Sequence, residues 1–370
     1  MKPLGPASRE SGMSLIELMV GMLIGLIGII MITHLYLTNE EYKRSTTGAG
    51  SAQVNGAVGL YTMERDVRMA GFGFNNSAAL GCSCAGANCS PVQYFHDGVY
   101  SSPPGPSGGA LPPLAFVPVN ITQGVNAPDS ITLLFGNALE RSLPGTLSET
   151  MPNSSSEYKV DGTAGFNAND MVLVTQGSTC MLTQITQVQT SASHLQHNPG
   201  SSEWNPAGGG SLLPAFAQGA NLFNLGNPTW RLYAIANNRL TVTEVLTVPT
   251  GGGPLEIVDD IVDLQAQYGW DTSGNGAIEP AEWRNDPPAS PEWTQAIAIR
   301  IAVLARSPNY VRPAPGTTDC DATTAANAPT WGGGSFPAKD FVTVTSQDRC
   351  YRYRVFETTI PLRNMLWRPA

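Results

Sequence analysis

Charge is scarce in this sequence: Asp, Glu, Lys and Arg make up 13% of 370 residues, roughly half of the ~25% usual in soluble globular proteins. The ions that are present lean acidic, with a formal net charge of −9. No basic run occurs, and the densest group (Arg349, Arg352 and Arg354 beside Arg363) reads as a strand. Nucleic acid is therefore not the expected partner, because neutralising phosphates needs clustered Lys and Arg. Motifs of catalysis are missing too. The G-x-S-x-G string at 105–109 lies in a Gly/Pro/Ser-rich stretch and lacks the strand-to-helix turn of a nucleophile elbow, and there is no H-E-x-x-H zinc helix. Glycine runs at 208–210, 251–253 and 332–334 lack the strand-to-helix context and the Lys or Asp of a phosphate loop. His194 and His197 are spaced like a metal pair, but they fall in a stretch that reads as a polar loop without a carboxylate nearby. No enzyme is expected.

What the chain has in quantity is Gly 39 and Pro 29. Its polarity comes mostly from Ser, Thr, Asn and Gln. That is the profile of a turn-rich secreted or surface β protein. The length allows one large domain or two ordinary ones.

The N-terminus decides the class. Residues 1–12 are polar and carry Lys2, Arg9 and Glu10. From Leu18 to Leu37 the chain is almost wholly apolar, a run of about 20 residues, long enough to cross a bilayer as one helix. Gly21, Gly25 and Gly28 lie inside it, a composition that lets membrane helices approach closely. A secretory signal has a shorter apolar core followed by a small-residue cleavage site. A plain anchor leaves Glu17 unexplained, since a carboxylate entering a membrane helix is costly unless it is paired.

Gly12 followed by Met13-Ser14-Leu15-Ile16-Glu17-Leu18 resembles the class III leader of type IV prepilins. The resemblance implies that a prepilin peptidase cuts after Gly12 and that the new N-terminus at Met13 is methylated. It places Glu17 at the fifth mature position. The family usually has Phe at the first mature position, where this chain has Met13. The freed amine would sit at the membrane edge, and Glu17 can neutralise that of a neighbouring subunit, an attraction that is strong in low dielectric. Lys2 and Arg9 keep the short side cytoplasmic. The rest faces the periplasm or the exterior. There the six cysteines, Cys82, Cys84, Cys89, Cys180, Cys320 and Cys350, read as disulfides. Cys320 and Cys350 bracket a loop of Gly, Pro, Ala and Thr and are the first pair expected, because closing it removes unfolded-state entropy. A zinc site at 82–89 is the competing reading of the first three.

Beyond the apolar run the helix is expected to continue to about Met69, roughly 80 Å at about 1.5 Å per residue. Val54, Val58 and Tyr61 recur at helical spacing on its apolar side, with Leu60, Met63 and Val67 beside them. Glu64, Arg65, Asp66 and Arg68 form the polar side. Gly71 and Gly73 end it. Residues 72–128 and 191–228 read as loop-rich insertions. Strands are expected at 131–135, 170–176, 181–189, 230–236, 239–246, 296–305 and 351–362, with a hairpin turn at Asn237-Asn238. A short helix is expected at 257–264, followed by a strand. The segment Glu64 to Gly71 and the ending Arg354 to Asn364 resemble the stem junction and final strand of PilW-type minor pilins.

One stretch carries site chemistry. Asp271, Ser273, Asn275, Glu279 and Glu282 fall at positions 1, 3, 5, 9 and 12 of a loop like that of an EF-hand, and Ala277 at 7 would offer its carbonyl. Gly276 stands at the sharp turn and Ile278 can tie the loop to a core. Calcium, which wants about six to eight oxygens, is the cofactor expected. Entry by strand and exit into Pro287-Pro288 mark a loop in a β-rich head, not a helix–loop–helix sensor. The bland alternative is an acidic turn.

The expected fold is α+β and pilin-like. Residues 1–12 form a cleaved leader, 13–70 a membrane and amphipathic helix, and 71–370 a β-rich head with large insertions. The resemblance implies a minor pilin that primes or caps a type IV pilus in motility and adhesion. It would sit in the inner membrane with a periplasmic head and then on the cell-surface pilus. Its partners would be the major pilin, other minor pilins, the peptidase and, at the tip, an adhesin. A pseudopilin of type II secretion shares leader and stem. A membrane-anchored calcium-dependent adhesin that never polymerises is the reading from another class.

Overall fold

A computed structural model describes residues 14–73, 95–96, 99–100, 116–138, 143–151, 157–177, 179–205, 215–246, 253–287, 293, 295–313 and 316–366. Gly12, Met13, Cys82, Cys84 and Cys89 lie outside them, and with them the leader and the zinc alternative.

One helix, Leu15–Met69, forms the stem. Ser14 caps it: its Oγ accepts from Ile16 N, while Glu17 Oε2 accepts from Ser14 N at 3.0 Å. This reciprocal pair satisfies donors that a helix start leaves open. At the other end Asn364 Nδ2 donates to the carbonyls of Met69 and Ala70, at 3.1 and 2.9 Å. The last turn of the stem is thus closed by the last described segment of the chain.

The head consists of antiparallel sheets. Five strands run in the spatial order Leu255–Asp259, Arg239–Glu244, Thr229–Ala236, Ser130–Phe135 and Val119–Thr122. Four more run Trp283–Arg284, Ile261–Trp270, Ala296–Arg306 and Tyr353–Pro361. Together these two sheets hold the second half of the stem, and a shared core joins Ala52, Met63 and Val67 to Leu133, Tyr233, Ile299 and Ile360. A third sheet, with strands Gly145–Thr146, Asn221–Gly226, Met171–Gln176 and Thr179–Gln184, is covered on both faces. Leu173 and Phe223 point into the shared core, while Val172, Val174 and Leu222 point into a second core with Tyr158 and Phe166. Burial on both sides explains why Met171–Thr175 is continuously apolar or buried rather than alternating. The hairpin turn at Asn237 and Asn238 has φ of 52° and 59°, as a tight right-twisted hairpin demands.

Several expectations need correction. The 72–128 stretch contains the strand Val119–Thr122, and 191–228 contains His194–Gln196 and Asn221–Gly226. Residues 257–264 form no helix; they lie in the strands Leu255–Asp259 and Ile261–Trp270, joined at Asp260 with φ 58°. The 181–189 strand is broken into Thr179–Gln184 and Gln187–Gln189.

The face of the stem that meets the head is also different. Val54, Val58 and Tyr61 are exposed, Tyr61 by 69%. The buried positions are Gly48, Ala52, Gly56, Gly59, Met63, Asp66, Val67 and Ala70. Helical spacing is kept, but the seam is made of small residues, because the sheets supply the bulk. A Cβ at Gly56 would stand 2.2 Å from two ring carbons of Phe356, and one at Gly59 would stand 3.2 Å from Leu240.

Candidate functional site

Three places carry the functional geometry: the bare stem, the junction and the acidic loop. Along the stem, Leu15 through Leu37 expose nearly every large side chain, Ile16, Met22, Ile24, Ile32 and Leu37 among them. The helix is long and apolar enough to cross a membrane, and none of its most apolar window is buried among the described residues. Thr33 returns its hydroxyl to the Ile29 carbonyl at 2.8 Å, so the polar interruption is satisfied inside the helix. Glu17 is exposed and its bond to Ser14 N is intrahelical.

At the junction Asp66, only 3% exposed, is the pin. Its Oδ2 accepts from Arg231 at 2.7 Å and from the Tyr233 hydroxyl at 2.6 Å. Glu244 takes the other side of the Arg231 guanidinium at 2.5 Å. Burial, and then the Asp66 carboxylate, push the Tyr233 hydroxyl well above the ordinary phenol range, so it stays a donor. Sequence reasoning put Asp66 on the polar face. It belongs to the buried one, and the signal was there, since position 66 follows 52, 56, 59 and 63 at helical spacing. Gly71 N donates to Leu134 O at 2.9 Å, which ties the end of the stem to the five-stranded sheet.

The acidic loop connects Ile261–Trp270 to Trp283–Arg284 as the turn of a β hairpin. The residues expected to act as ligands are linked through one another. Asp271 Oδ1 accepts from Ser273 Oγ at 3.2 Å and Asn275 N at 3.0 Å, and Oδ2 accepts from Gly276 N at 2.8 Å. Asn275 Nδ2 donates to Glu279 Oε1 at 2.8 Å. Glu282 is buried; its Oε1 accepts from Thr272 N at 2.9 Å and its Oε2 from Glu279 N at 3.0 Å. The backbone bond from Glu279 and the hydroxyl of Thr272 lower its carboxyl to about 2. Gly276 makes the turn with φ 78°. Ala277 gives its N–H to Asn275 Oδ1 at 2.8 Å. Among the described residues no three His, Cys, Asp or Glu converge as a metal cluster, so what the loop assembles is a mixed set of carboxylate, hydroxyl and carboxamide oxygens. Ile278 and Trp283 fold over Gly269, and Trp283 carries Arg300 4.6 Å above its ring.

The other candidates resolve plainly. His194 lies on a strand, not in a loop, with Glu157 Oε2 3.4 Å from its Nδ1. His197 is fully buried and stacked on Tyr158 at 4.1 Å, and burial lowers it to about 4. The two do not form a metal pair, because one lies in a core and the other on a surface strand. Cys320 and Cys350 are disulfide-bonded with Cα atoms 4.8 Å apart. Closing a loop of this 30-residue separation stabilises the fold by about 3.5 kcal/mol on the chain-entropy model. Cys180 is also in a disulfide, and no described cysteine is free.

A membrane-length N-terminal helix, bare along its first half and carrying a β-rich head on its second, defines a pilin-like protein. Residues 7–33 match the prokaryotic N-terminal methylation motif, and residues 233–364 match the Type IV Pilus-assembly protein W family. These two matches support a PilW-like type IV pilus protein with a class III leader. The matched family is a structural component of the pilus and not an enzyme family. No curated protein and no solved structure matches the chain.

Proposed function

We propose that the chain is a minor pilin that primes or caps a type IV pilus, held first in the inner membrane with its head in the periplasm. The observation that carries this reading is the division of the stem. The first half leaves its apolar surface uncovered, while the second half is locked to the head by Asp66, Asn364 and a small-residue seam. A rigidly attached head with a free apolar stem can exchange lipid for the stems of other pilins without refolding. The exposed stripe Val54, Val58 and Tyr61 continues that surface past the membrane. The size of the head favours a place at the end of a filament over repetition along a tightly packed shaft.

Mass spectrometry of sheared filaments beside the membrane fraction tests this. A peptide beginning at N-methylated Met13 in the filaments is expected. The same peptide confined to membranes would point to a priming complex or a secretion pseudopilus, and an uncut N-terminus would overturn the reading. Glu17→Ala is expected to abolish assembly while leaving membrane insertion intact; a non-polymerising anchor would tolerate it.

Calcium belongs to this proposal as a stiffener of the head. The oxygens of Asp271, Ser273, Asn275, Glu279 and Glu282 would hold it, and it would replace hydrogen bonds that the loop now makes with itself. Full-length protein should melt higher with added calcium, and Asp271→Ala combined with Glu282→Ala should remove that rise. An equal rise in the double variant would exclude the loop as the site.

A further inference from the structure

A second site lies outside the family-matched residues. At the seam between the five-stranded sheet and the doubly covered sheet is a cavity of about 230 Å³, lined by Asn137, Asn167, Asp170, Asn224 and Gly226 among others. It is smaller than the roughly 300 Å³ at which drug-sized pockets begin. Its walls are built. Asn224, nearly fully buried, donates to Gly165 O and Asp170 Oδ2, both at 2.7 Å, and accepts from Gly226 N at 2.8 Å. Gly226 follows a bulge in its strand and has φ 64°. A Cβ there would fall 2.3 Å from Asn137 Oδ1, so the backbone can take this path only with glycine.

The binding groups are the ones this scaffold leaves over. Asp170 Oδ2 is taken by Asn224 and by Asn167 N at 2.8 Å, while Oδ1 has no partner among the described residues. Asn137 Oδ1 accepts from Asn227 N at 2.7 Å, and its Nδ2 has no partner among them. The side-chain amide of Asn167 has none either. One carboxylate and two carboxamides therefore offer acceptors and donors together around a space of single-ring size. Hydroxyl groups both donate and accept, and a ring bearing several of them matches that mixture. A bare cation does not, because it wants oxygens only and about six or more of them. The one formal charge in the lining is negative, which disfavours acidic ligands.

We propose that this cavity binds a neutral sugar unit, giving the head a carbohydrate-recognition site of its own. All the residues named lie at 137–226, before the matched 233–364, so the site falls outside the part of the head that the family model matches.

Full-length protein in a non-glycosidic detergent would be probed by saturation-transfer NMR with mannose, galactose, N-acetylglucosamine and sialic acid. Transfer to at least one of the three neutral sugars is expected, and none to sialic acid. Asn167→Ala, which removes a side chain with no hydrogen bond among the described residues, should weaken binding about tenfold with unchanged melting. Asp170→Asn, which preserves shape, should do the same. Failure of all three neutral sugars, preference for sialic acid, or binding unaltered in both variants would each overturn the proposal. So would calcium binding that survives Asp271→Ala with Glu282→Ala but is lost on adding Asp170→Asn, since the cavity would then be a cation site.

Discussion

Residues 15–37 of the stem are apolar on nearly every side, Glu17, Thr33 and His34 apart, and bury almost nothing among the described residues. Residues 48–70 are poorer in large apolar side chains, yet they lie against the head. The difference is one of fit. In the first half, bulk projects outward in all directions, and only lipid or other helices can meet it. In the second half, Gly48, Ala52, Gly56 and Gly59 make a shallow groove that receives Phe356 and Leu240 from the sheets. One charged residue, Asp66, is then admitted because Arg231 and Tyr233 wait for it. The same helix is thus a knob toward other molecules and a hole toward its own head.

The largest effect should come from breaking the pin. Asp66→Ala leaves the Arg231 guanidinium and the Tyr233 hydroxyl without their shared acceptor, although Glu244 still holds one side of Arg231. Removing one partner of a buried charge pair costs about 3–5 kcal/mol, and the lower end is expected because Arg231 keeps some contact with solvent. Chemical denaturation of the full-length protein measures it. A loss below about 1 kcal/mol would mean that the seam alone holds stem to head.

The groove can be sharpened by comparing two glycines on one helix. Gly56→Val drives methyl groups into Phe356 and should cost about 3 kcal/mol, the upper end for overpacking. Gly50 has nothing within 4 Å of an added Cβ, and Gly50→Ala should gain roughly 0.5–1 kcal/mol from helix propensity. Equal effects at both positions would refute the close-approach account.

Buried polar groups inside the head extend the contrast, since these lack what Asp66 has. His197 is lowered to about 4, chiefly by burial, with no hydrogen-bond partner for either ring nitrogen among the described residues. Asp263 is raised to about 6, again chiefly by burial, although Gln265 donates to it at 3.0 Å. Their pH dependences oppose one another. For His197 the unfolded chain binds the extra proton, so stability present above about 6.5 is lost as pH falls toward about 4. For Asp263 the folded chain holds the proton, so the contribution is full below about 3.8 and is lost as pH rises through about 6. His197→Phe, which keeps a ring against Tyr158, should therefore flatten the fall between pH 7 and pH 5 by on the order of 2 kcal/mol. Asp263→Asn should make that fall steeper. Denaturation at the two pH values compares the three proteins.

How much of this was legible beforehand follows the same division. The stem, its end near Met69, the hairpin at Asn237-Asn238 and the Cys320–Cys350 pair follow from local signals such as run length, turn chemistry and loop entropy. The contact face did not, because Val54, Val58 and Tyr61 look like a core stripe to any rule that weighs hydrophobicity. Only the placement of Phe356, roughly 300 residues away in sequence, explains why glycine is the inward residue at position 56. Asp66 was misplaced for a related reason. Its spacing from 52, 56, 59 and 63 marks the buried face, but a carboxylate reads as solvated until its partners at 231 and 233 are known. The strand Asn221–Gly226 was hidden because its turn-forming neighbours and two asparagines outweigh Leu222, Phe223 and Leu225. The turn of the acidic loop follows from sequence, since Asp271, Gly276 and Glu282, which shape it by hydrogen bonds and a positive φ, lie within twelve consecutive positions.

The smallest effect on stability is the most telling about function. Val58→Ser and Tyr61→Ser change side chains that are exposed, by 48% and 69%. Exposed substitutions of this kind usually stay within about 0.5 kcal/mol, so denaturation of the full-length double variant should overlay the parent. If the bare stem and this stripe form one continuous surface for other pilins, the same variant should reach the membrane normally and yet be depleted from sheared filaments. Quantifying the chain in both fractions decides the matter. Normal incorporation would confine the assembly surface to residues 15–37 and leave the outer face of the second half as ordinary solvent-exposed helix. Depletion with unchanged stability would separate the two roles of the helix residue by residue, with glycines turned toward the head and the valine–tyrosine stripe turned toward the neighbouring subunit.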